Sequence, residues 1–245
     1  MSKVIVITGA GVGLGRALAR RFVADGDKVV LLGRTFSKVE AVAKELGEAA
    51  LAVACDVASP DSVRAAFAEI AKTFPKIDVL INNAAVFQPF TVAEASDDDI
   101  MSHVATNLAG PIFCARSAIP MMGPGGHIIN VGSESVDVNF AHLSLYQASK
   151  AGLERFSKSL SQELEASGIR VTTVRAGQMF EADKSWDVDP ARAMAFAQAN
   201  MAAGINLRER PISQFTSVTD TFRTVIDAPP DVNLGLITLH ARRPS

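Results

Sequence analysis

The chain has 245 residues, with 24 Lys and Arg against 26 Asp and Glu and a formal net charge of −2. That length suits one domain with a substantial core, and the balanced charge gives no basic excess for nucleic acid or an anionic membrane, so small-molecule chemistry is expected. Two cysteines are too few for a disulfide-stapled secreted domain and read as buried free thiols. There is no signal-like N-terminus and no apolar run near the roughly 20 residues of a membrane span, so a cytoplasmic location is expected.

Residues 4–7 (VIVI) have the length and β-branched content of a buried strand. The run stops at Thr8-Gly9, and from Gly13 the apolar positions Leu14, Ala17, Leu18 and Phe22 take helical spacing. Gly9, Gly11, Gly13, Leu14 and Gly15 thus sit at a strand-to-helix junction, spaced G-x-x-x-G-x-G across the outer three glycines. A helix start leaves backbone N–H groups unpaired at the positive end of its dipole, and glycine lets a pyrophosphate approach them. The plainer alternative is a tight connection with no ligand.

Residues 28–32 predict a second strand, followed by Gly33-Arg34-Thr35 and a helix over 36–46, and residues 51–57 predict a third strand. Ser59-Pro60-Asp61 opens a helix whose apolar face is Val63, Ala66, Phe67 and Ile70. A fourth strand over 77–81 runs into Asn82-Asn83-Ala84-Ala85. Ser96-Asp97-Asp98-Asp99 reads as an N-cap with first-turn carboxylates rather than a metal site, and no metal centre is expected. That helix continues through Asn107 toward Pro120.

Residues 126–131 predict a fifth strand ending at Gly132-Ser133, 146–167 a long helix closed by Gly168, and 169–174 a sixth strand. The alternation predicts an α/β fold, a doubly wound parallel sheet in a single domain over 1–245, with ligands at the carboxyl ends of the strands. Residues 176–189 are polar and acidic, hold the only tryptophan, Trp186, and lead into an Ala- and Met-rich helix over 190–203. The segment 177–203 is expected to be a substrate lid, or a surface excursion packing Trp186 on the core. A helix over 212–226 and a strand over 234–240 finish the domain.

The only tyrosine is Tyr146, and Lys150 lies four residues on, which on a helix puts an ammonium beside the phenol. A nearby cation favours phenolate, so the phenol pKa is expected below its usual 10 or so, as a general acid or base requires. Ser133 at a strand end suits a hydrogen bond to a substrate oxygen, or is only a turn residue; Asn107 is equally at home as a backbone-bonded helix asparagine. His142, four residues before Tyr146, either lines the pocket or is a loop histidine with no part in the chemistry.

Taken together these residues resemble the short-chain dehydrogenase/reductase family, across about residues 3–175. Thr8, Gly9, Gly13 and Gly15 are similar to its cofactor motif, Asp56 beside Val57 to its adenine-contacting acid, Asn82-Asn83-Ala84 to the element after strand four, and Asn107, Ser133, Tyr146 and Lys150 to its catalytic tetrad. The resemblance implies a Rossmann-type fold, with Tyr146 as general acid in carbonyl reduction and base in alcohol oxidation. It further implies that Ser133 polarises the oxygen, Lys150 binds the nicotinamide ribose and lowers the Tyr146 pKa, and Asn107 holds the helix backbone and a relay water. A small-molecule carbonyl or alcohol substrate and a homotetramer or homodimer are implied as well.

At the end of strand two an acid would bind a free ribose 2′-OH, whereas this chain has Gly33 and then Arg34, which favours NADP(H) over NAD(H). The family's Pro-Gly and nearby threonine after strand six are replaced by Arg175-Ala176-Gly177-Gln178-Met179-Phe180, leaving Gly177 as the remaining cofactor-contacting match. Ala85 stands for a glycine, and the C-terminus lacks the usual glycine-rich ending. The expectation is an NADP(H)-preferring oxidoreductase interconverting a carbonyl and an alcohol. The alternative is a catalytically weak NADP(H)-sensing binding protein on the same fold.

Overall fold

The computed structural model describes residues 2–180 and 188–242, so Trp186 and the middle of the expected lid lie outside the described residues. Nine strands and eight α-helices follow in order: β1 (Val4–Thr8), α1 (Gly13–Ala24), β2 (Lys28–Gly33), α2 (Phe36–Leu46), β3 (Ala50–Ala54), α3 (Pro60–Thr73), β4 (Val79–Asn82), α4 (Asp97–Val104), α5 (Gly110–Ala118), β5 (His127–Ser133), α6 (Ser144–Glu163), β6 (Arg170–Ala176), β7 (Met179–Phe180), α7 (Pro190–Ala202), β8 (Ser213–Gln214), α8 (Phe215–Asp227) and β9 (Leu236–Thr238). Seven strands form one parallel sheet in the order β3-β2-β1-β4-β5-β6-β9, and β7 pairs with β8 in a separate ribbon. The order reverses between β1 and β4, which opens a crevice at their carboxyl ends.

Alternation along each strand divides the core. Ile5 and Ile7 of β1 join Leu14, Leu18 and Phe22 of α1, Val39 of α2 and Phe222 of α8 on one face. Val6, between them, joins Val30, Leu80 and Ile128 with Val63, Phe67 and Ile70 of α3, Cys114 of α5 and Leu160 of α6 on the other. A strand buried on both faces must be apolar throughout, as VIVI is.

Several boundaries differ from those expected. β3 stops at Ala54, where its pairing with Gly33 ends, because Asp56 turns the chain: its N–H bonds Ser62 Oγ and its Oδ1 accepts from Ala58 N. The helix expected from 97 toward 120 is interrupted by a π turn, Ala105–Ala109, closed by the Gly110 N–H on the Ala105 carbonyl. Gly110 also lets the chain approach β3's exit, since a Cβ there would stand 3.0 Å from Val57 Cγ2. α6 begins two residues early and ends at Glu163, and a 3₁₀ turn reaches Gly168 in the left-handed conformation, φ 68°. β9 is shorter than expected and pairs with β6 alone.

Below the crevice lies a buried polar chain. Asn82 Nδ2 donates to Asn130 Oδ1 at 2.8 Å, Asn130 Nδ2 to Ser157 Oγ at 2.8 Å, and that hydroxyl to the Leu153 carbonyl. At the other end of β5 the His127 ring is 1 % exposed, with Nε2 2.8 Å from Thr172 Oγ1. Burial lowers its pKa from 6.5 to about 3. A histidine kept neutral in the fold charges first in the unfolded chain, so stability is full above pH 6.5 and falls as the pH drops below it. Going from pH 7.5 to 5.5 should cost about 1.4 kcal/mol through this group. Urea unfolding at both pH values should show that loss in the wild type and lack it in His127→Gln; an identical loss in both would contradict the assignment.

Candidate active site

The strand-to-helix turn depends on glycine at specific points. Gly9 and Gly13 have φ of +66° and +59°, in the left-handed region, and a Cβ on Gly15 would stand 2.5 Å from the Gly9 carbonyl oxygen and 2.7 Å from Asn83 Nδ2. Gly11 meets α2, where a Cβ would stand 2.9 Å from Lys38 Cβ. Asn83 Nδ2 donates to the carbonyls of Thr8 (2.9 Å) and Gly9 (3.2 Å), and Thr8 Oγ1 accepts from the N–H groups of Asn83 and Ala84. Asn83 and Ala84 thereby fix the turn from β4. α1 starts without a side-chain cap, so its buried first turn, Gly13, Leu14 and Gly15, leaves donors for an anion.

Arg34 is exposed just past the end of β2, on the same edge as this turn. Asp56 and buried Val57 lie on the turn after β3. Together they outline a shelf across the carboxyl ends of β1, β2 and β3.

Across the crevice, α6 carries Tyr146 and Lys150 against β5. Lys150 is buried, its Nζ donating to the Val131 carbonyl at 2.7 Å and lying 5.9 Å from the Tyr146 ring centroid. Burial lowers its pKa to about 8. Ser133, two residues past Val131, is 7 % exposed, and its Oγ accepts from Ser135 N. The Tyr146 pKa is raised rather than lowered: burial is the main cause and the Glu134 carboxylate adds to it, while a hydrogen bond from Ser133 opposes both. The expected depression is therefore corrected here; desolvation of the phenol outweighs its neighbours.

Asn107 sits fully buried on the π turn. Its Oδ1 accepts from Val86 N at 2.8 Å, and its Nδ2 donates to the Val86 carbonyl at 3.0 Å and to Ser149 Oγ at 3.2 Å. Its side chain thus ties the loop after β4 to α6, between Tyr146 and Lys150. Ser133, Tyr146 and Lys150 are brought together at the end of β5, and Asn107 reaches α6 between the last two.

The walls come from residues that sequence reasoning passed over. Phe87 stands edge-on to Tyr146 at 5.0 Å, Phe196 of α7 stands 6.1 Å from Phe87, and Phe140 stands 6.5 Å from Phe196. Asn200 joins α7 to the main chain of Ala141, accepting from its N–H at 3.1 Å and donating to its carbonyl at 3.3 Å. Arg192 holds Asp99 bidentately at 2.9 and 3.0 Å, so the acidic run capping α4 also docks α7. His142, directly after Ala141, has a left-handed φ of 63°, and its carbonyl accepts from Phe90 N. Glu134 is buried beside Ser133 and pairs with Arg210 at 2.7 Å. Its place next to Ser133 was a readable signal; Arg210 had none.

At the end of β6 and past it, the departures have structural roles. Arg175 binds Glu154 of α6 bidentately at 2.6 and 2.7 Å and also pairs with Asp137, fastening the end of β6 to α6 and to the loop after β5. A Cβ on Gly177 would stand 2.6 Å from the Leu239 carbonyl, so the returning C-terminal strand needs glycine there whatever the cofactor needs.

A family model described as short chain dehydrogenase matches residues 3–190. The chain belongs to the short-chain dehydrogenase family. It is 35% identical over 177 residues to an NADP-dependent 3-hydroxy acid dehydrogenase of Salmonella typhi, covering 71% of each chain. It is 30% identical over 241 residues to serine 3-dehydrogenase of Agrobacterium fabrum, covering 98% of this chain and 94% of the relative. Among solved structures, a short chain dehydrogenase of Burkholderia cenocepacia in complex with NADP superimposes with a TM-score of 0.82 at 29% identity, over 98% of this chain and 96% of the other. As a short-chain dehydrogenase, the protein is an oxidoreductase of hydroxyl and carbonyl groups that uses a nicotinamide cofactor. No helix among the described residues is long and apolar enough to cross a membrane.

The docking of α7 is directly testable. The Arg192–Asp99 pair is partly exposed and worth about 1 kcal/mol at most. Arg192→Ala should speed amide exchange in α7 by about fivefold and leave β1 and β5 unchanged. Unaltered exchange in α7 would show that Asn200 and Phe196 hold the helix alone.

Proposed function

We propose that the short-chain dehydrogenase interconverts a carbonyl and its alcohol with NADP(H), Tyr146 acting as general acid in reduction and general base in oxidation. The observation that carries this reading is the meeting of Tyr146, Ser133 and Lys150 at the end of β5, across the crevice from the glycine turn. The cofactor, when bound, supplies or accepts the hydride. Ser133 Oγ would orient the substrate oxygen, and the Tyr146 phenol would donate its proton as the alkoxide forms. A raised phenol pKa suits proton donation; ionisation for the reverse reaction needs help from the Lys150 ammonium, held in place by the Val131 carbonyl. Asn107 sets the distance between α6 and the loop after β4, which carries Phe87.

The glycine turn fits a pyrophosphate on geometry alone, since the crowding at Gly15 keeps the turn tight and the uncapped helix start leaves donors. Arg34 would hold the 2′-phosphate. NADP in the name of the Salmonella typhi relative and in the Burkholderia cenocepacia complex supports that preference. Of the expected lid, α7, docked against Phe87 through Phe196, would close the substrate pocket. The two relatives' names describe hydroxy acids, and a hydroxy acid or its oxo counterpart is the substrate class we favour.

Tyr146→Phe should lower carbonyl reduction by about a thousandfold, the scale of a lost general acid, while NADPH binding stays within about twofold. Retained turnover would refute the mechanism. Arg34→Ala should raise the KM for NADPH by about tenfold or more and leave that for NADH unchanged, as expected for one charge-assisted contact to phosphate. Equal effects on both cofactors would remove Arg34 from the selection.

A further inference from the structure

Glu134, directly after Ser133, is a buried carboxylate whose charge reaches the Tyr146 phenol. Its near partner Arg210 comes from the loop before β8 and lies over the Phe140 ring, 5.0 Å from the centroid, while the exposed His240 ring stands 3.8 Å from the other carboxylate oxygen. Phe140, Phe196, Phe87 and Tyr146 form a continuous run of ring contacts, so Arg210 and the phenol belong to one wall, and Glu134 joins it beside Ser133. The guanidinium spends Nη2 on Glu134, and its buried Nε–H has no partner among the described residues. A buried donor left unpaired is costly unless a ligand completes it.

Resting on the proposed oxidoreductase function, we propose that Glu134 and Arg210 form a receptor for a zwitterion and that the substrate is a hydroxy-α-amino acid, its ammonium on Glu134 and its carboxylate on Arg210. Charge balance decides the class. A zwitterion replaces one internal ion pair by two external ones and leaves no buried charge uncompensated. A hydroxy acid without the amino group brings a second anion to Glu134, and a neutral alcohol breaks nothing but offers neither partner. The ammonium also offsets the carboxylate that holds the phenol protonated, which favours ionised Tyr146 when this substrate is to be oxidised. In that oxidation the carbinol C–H leaves as hydride to the oxidised nicotinamide, the hydroxyl proton goes to the Tyr146 phenolate, and the C=O bond forms.

The experiment compares NADP+ reduction by serine, threonine and threo-phenylserine with that by 3-hydroxypropionate, 3-hydroxybutyrate and 3-phenyl-3-hydroxypropionate, in wild type, Glu134→Gln, Glu134→Asp and Arg210→Ala. Binding of the same compounds to the protein loaded with NADP+ is followed by calorimetry. The wild type should prefer at least one amino acid over its deaminated match by about tenfold or more in kcat/KM, the scale of one charge-assisted hydrogen bond. Glu134→Gln should erase that preference mainly through KM and weaken amino acid binding, Glu134→Asp should retain part of it, and Arg210→Ala should weaken both acid series. Thermal unfolding checks that each variant is folded. Preference for the deaminated acids, or a ratio unmoved in folded Glu134→Gln, would overturn the receptor while leaving the oxidoreductase reading intact. Failure of every alcohol, and of the matching ketones with NADPH, would overturn the proposed function and this inference with it.

Discussion

Almost everything at the carboxyl edge of the sheet depends on how closely α1 approaches β1. The space a Cβ on residue 15 would need is taken by the Gly9 carbonyl at 2.5 Å and by the Asn83 amide at 2.7 Å. That contact welds three elements at once: β1 through Gly9, α1 through Gly15, and β4 through Asn83. The tightness brings the helix start, with its donors and its dipole, to the mouth of the crevice where the strand order reverses. Any side chain at position 15 would push α1 outward and unseat Asn83 in the same movement. The binding edge and the switch point of the sheet are thus one constraint.

From that edge the structure is stiffened by polar groups used sparingly. Thr8, Asn82, Asn83, Asn107, Asn130 and Ser157 are uncharged, and their hydrogen bonds reach from one strand to the next, from a strand to a helix or, at Asn107, from the π turn to α6. A buried amide that is paired costs little and fixes register and distance, which apolar packing by itself does loosely. Lys150 extends the same logic with a charge. Its hydrogen bond to Val131 anchors the ammonium two residues from Ser133, so the strand that positions the hydroxyl also positions the cation.

Periodicity revealed most of the sheet and helices because the strands are buried on both faces and the helices on one, and both patterns are local. The glycine turn, Ser96 as cap, the break at Gly168 and the pairing of Tyr146 with Lys150 were legible for the same reason. Interactions between distant segments were not. The π turn at Ala105–Ala109 reflects Asn107 reaching Val86 and Gly110 meeting Val57, neither of which leaves a mark on helical spacing. The direction of the Tyr146 shift depends on how much water the phenol loses, which sequence cannot state. Glu134 and Arg210 lie far apart in sequence, and only the fold makes them a pair.

The two halves of the site are held by different forces, and this bears on how such a chain specialises. Up to β6 the groups around the crevice are set by buried packing and by hydrogen bonds between neutral groups, Lys150 apart. From the end of β6 onward the attachments are largely charges: Arg175 to Glu154, Arg192 to Asp99, Arg210 to Glu134. Partly exposed ion pairs contribute little net stability, yet they are directional and discriminate sharply by sign. A pocket wall fastened in this way can shift or be rebuilt without disturbing the core. The match to the family model ends at residue 190, at the start of α7. Under the proposed function, the proton-transfer chemistry would rest on the half held by packing, and the choice of substrate on the half held by charge.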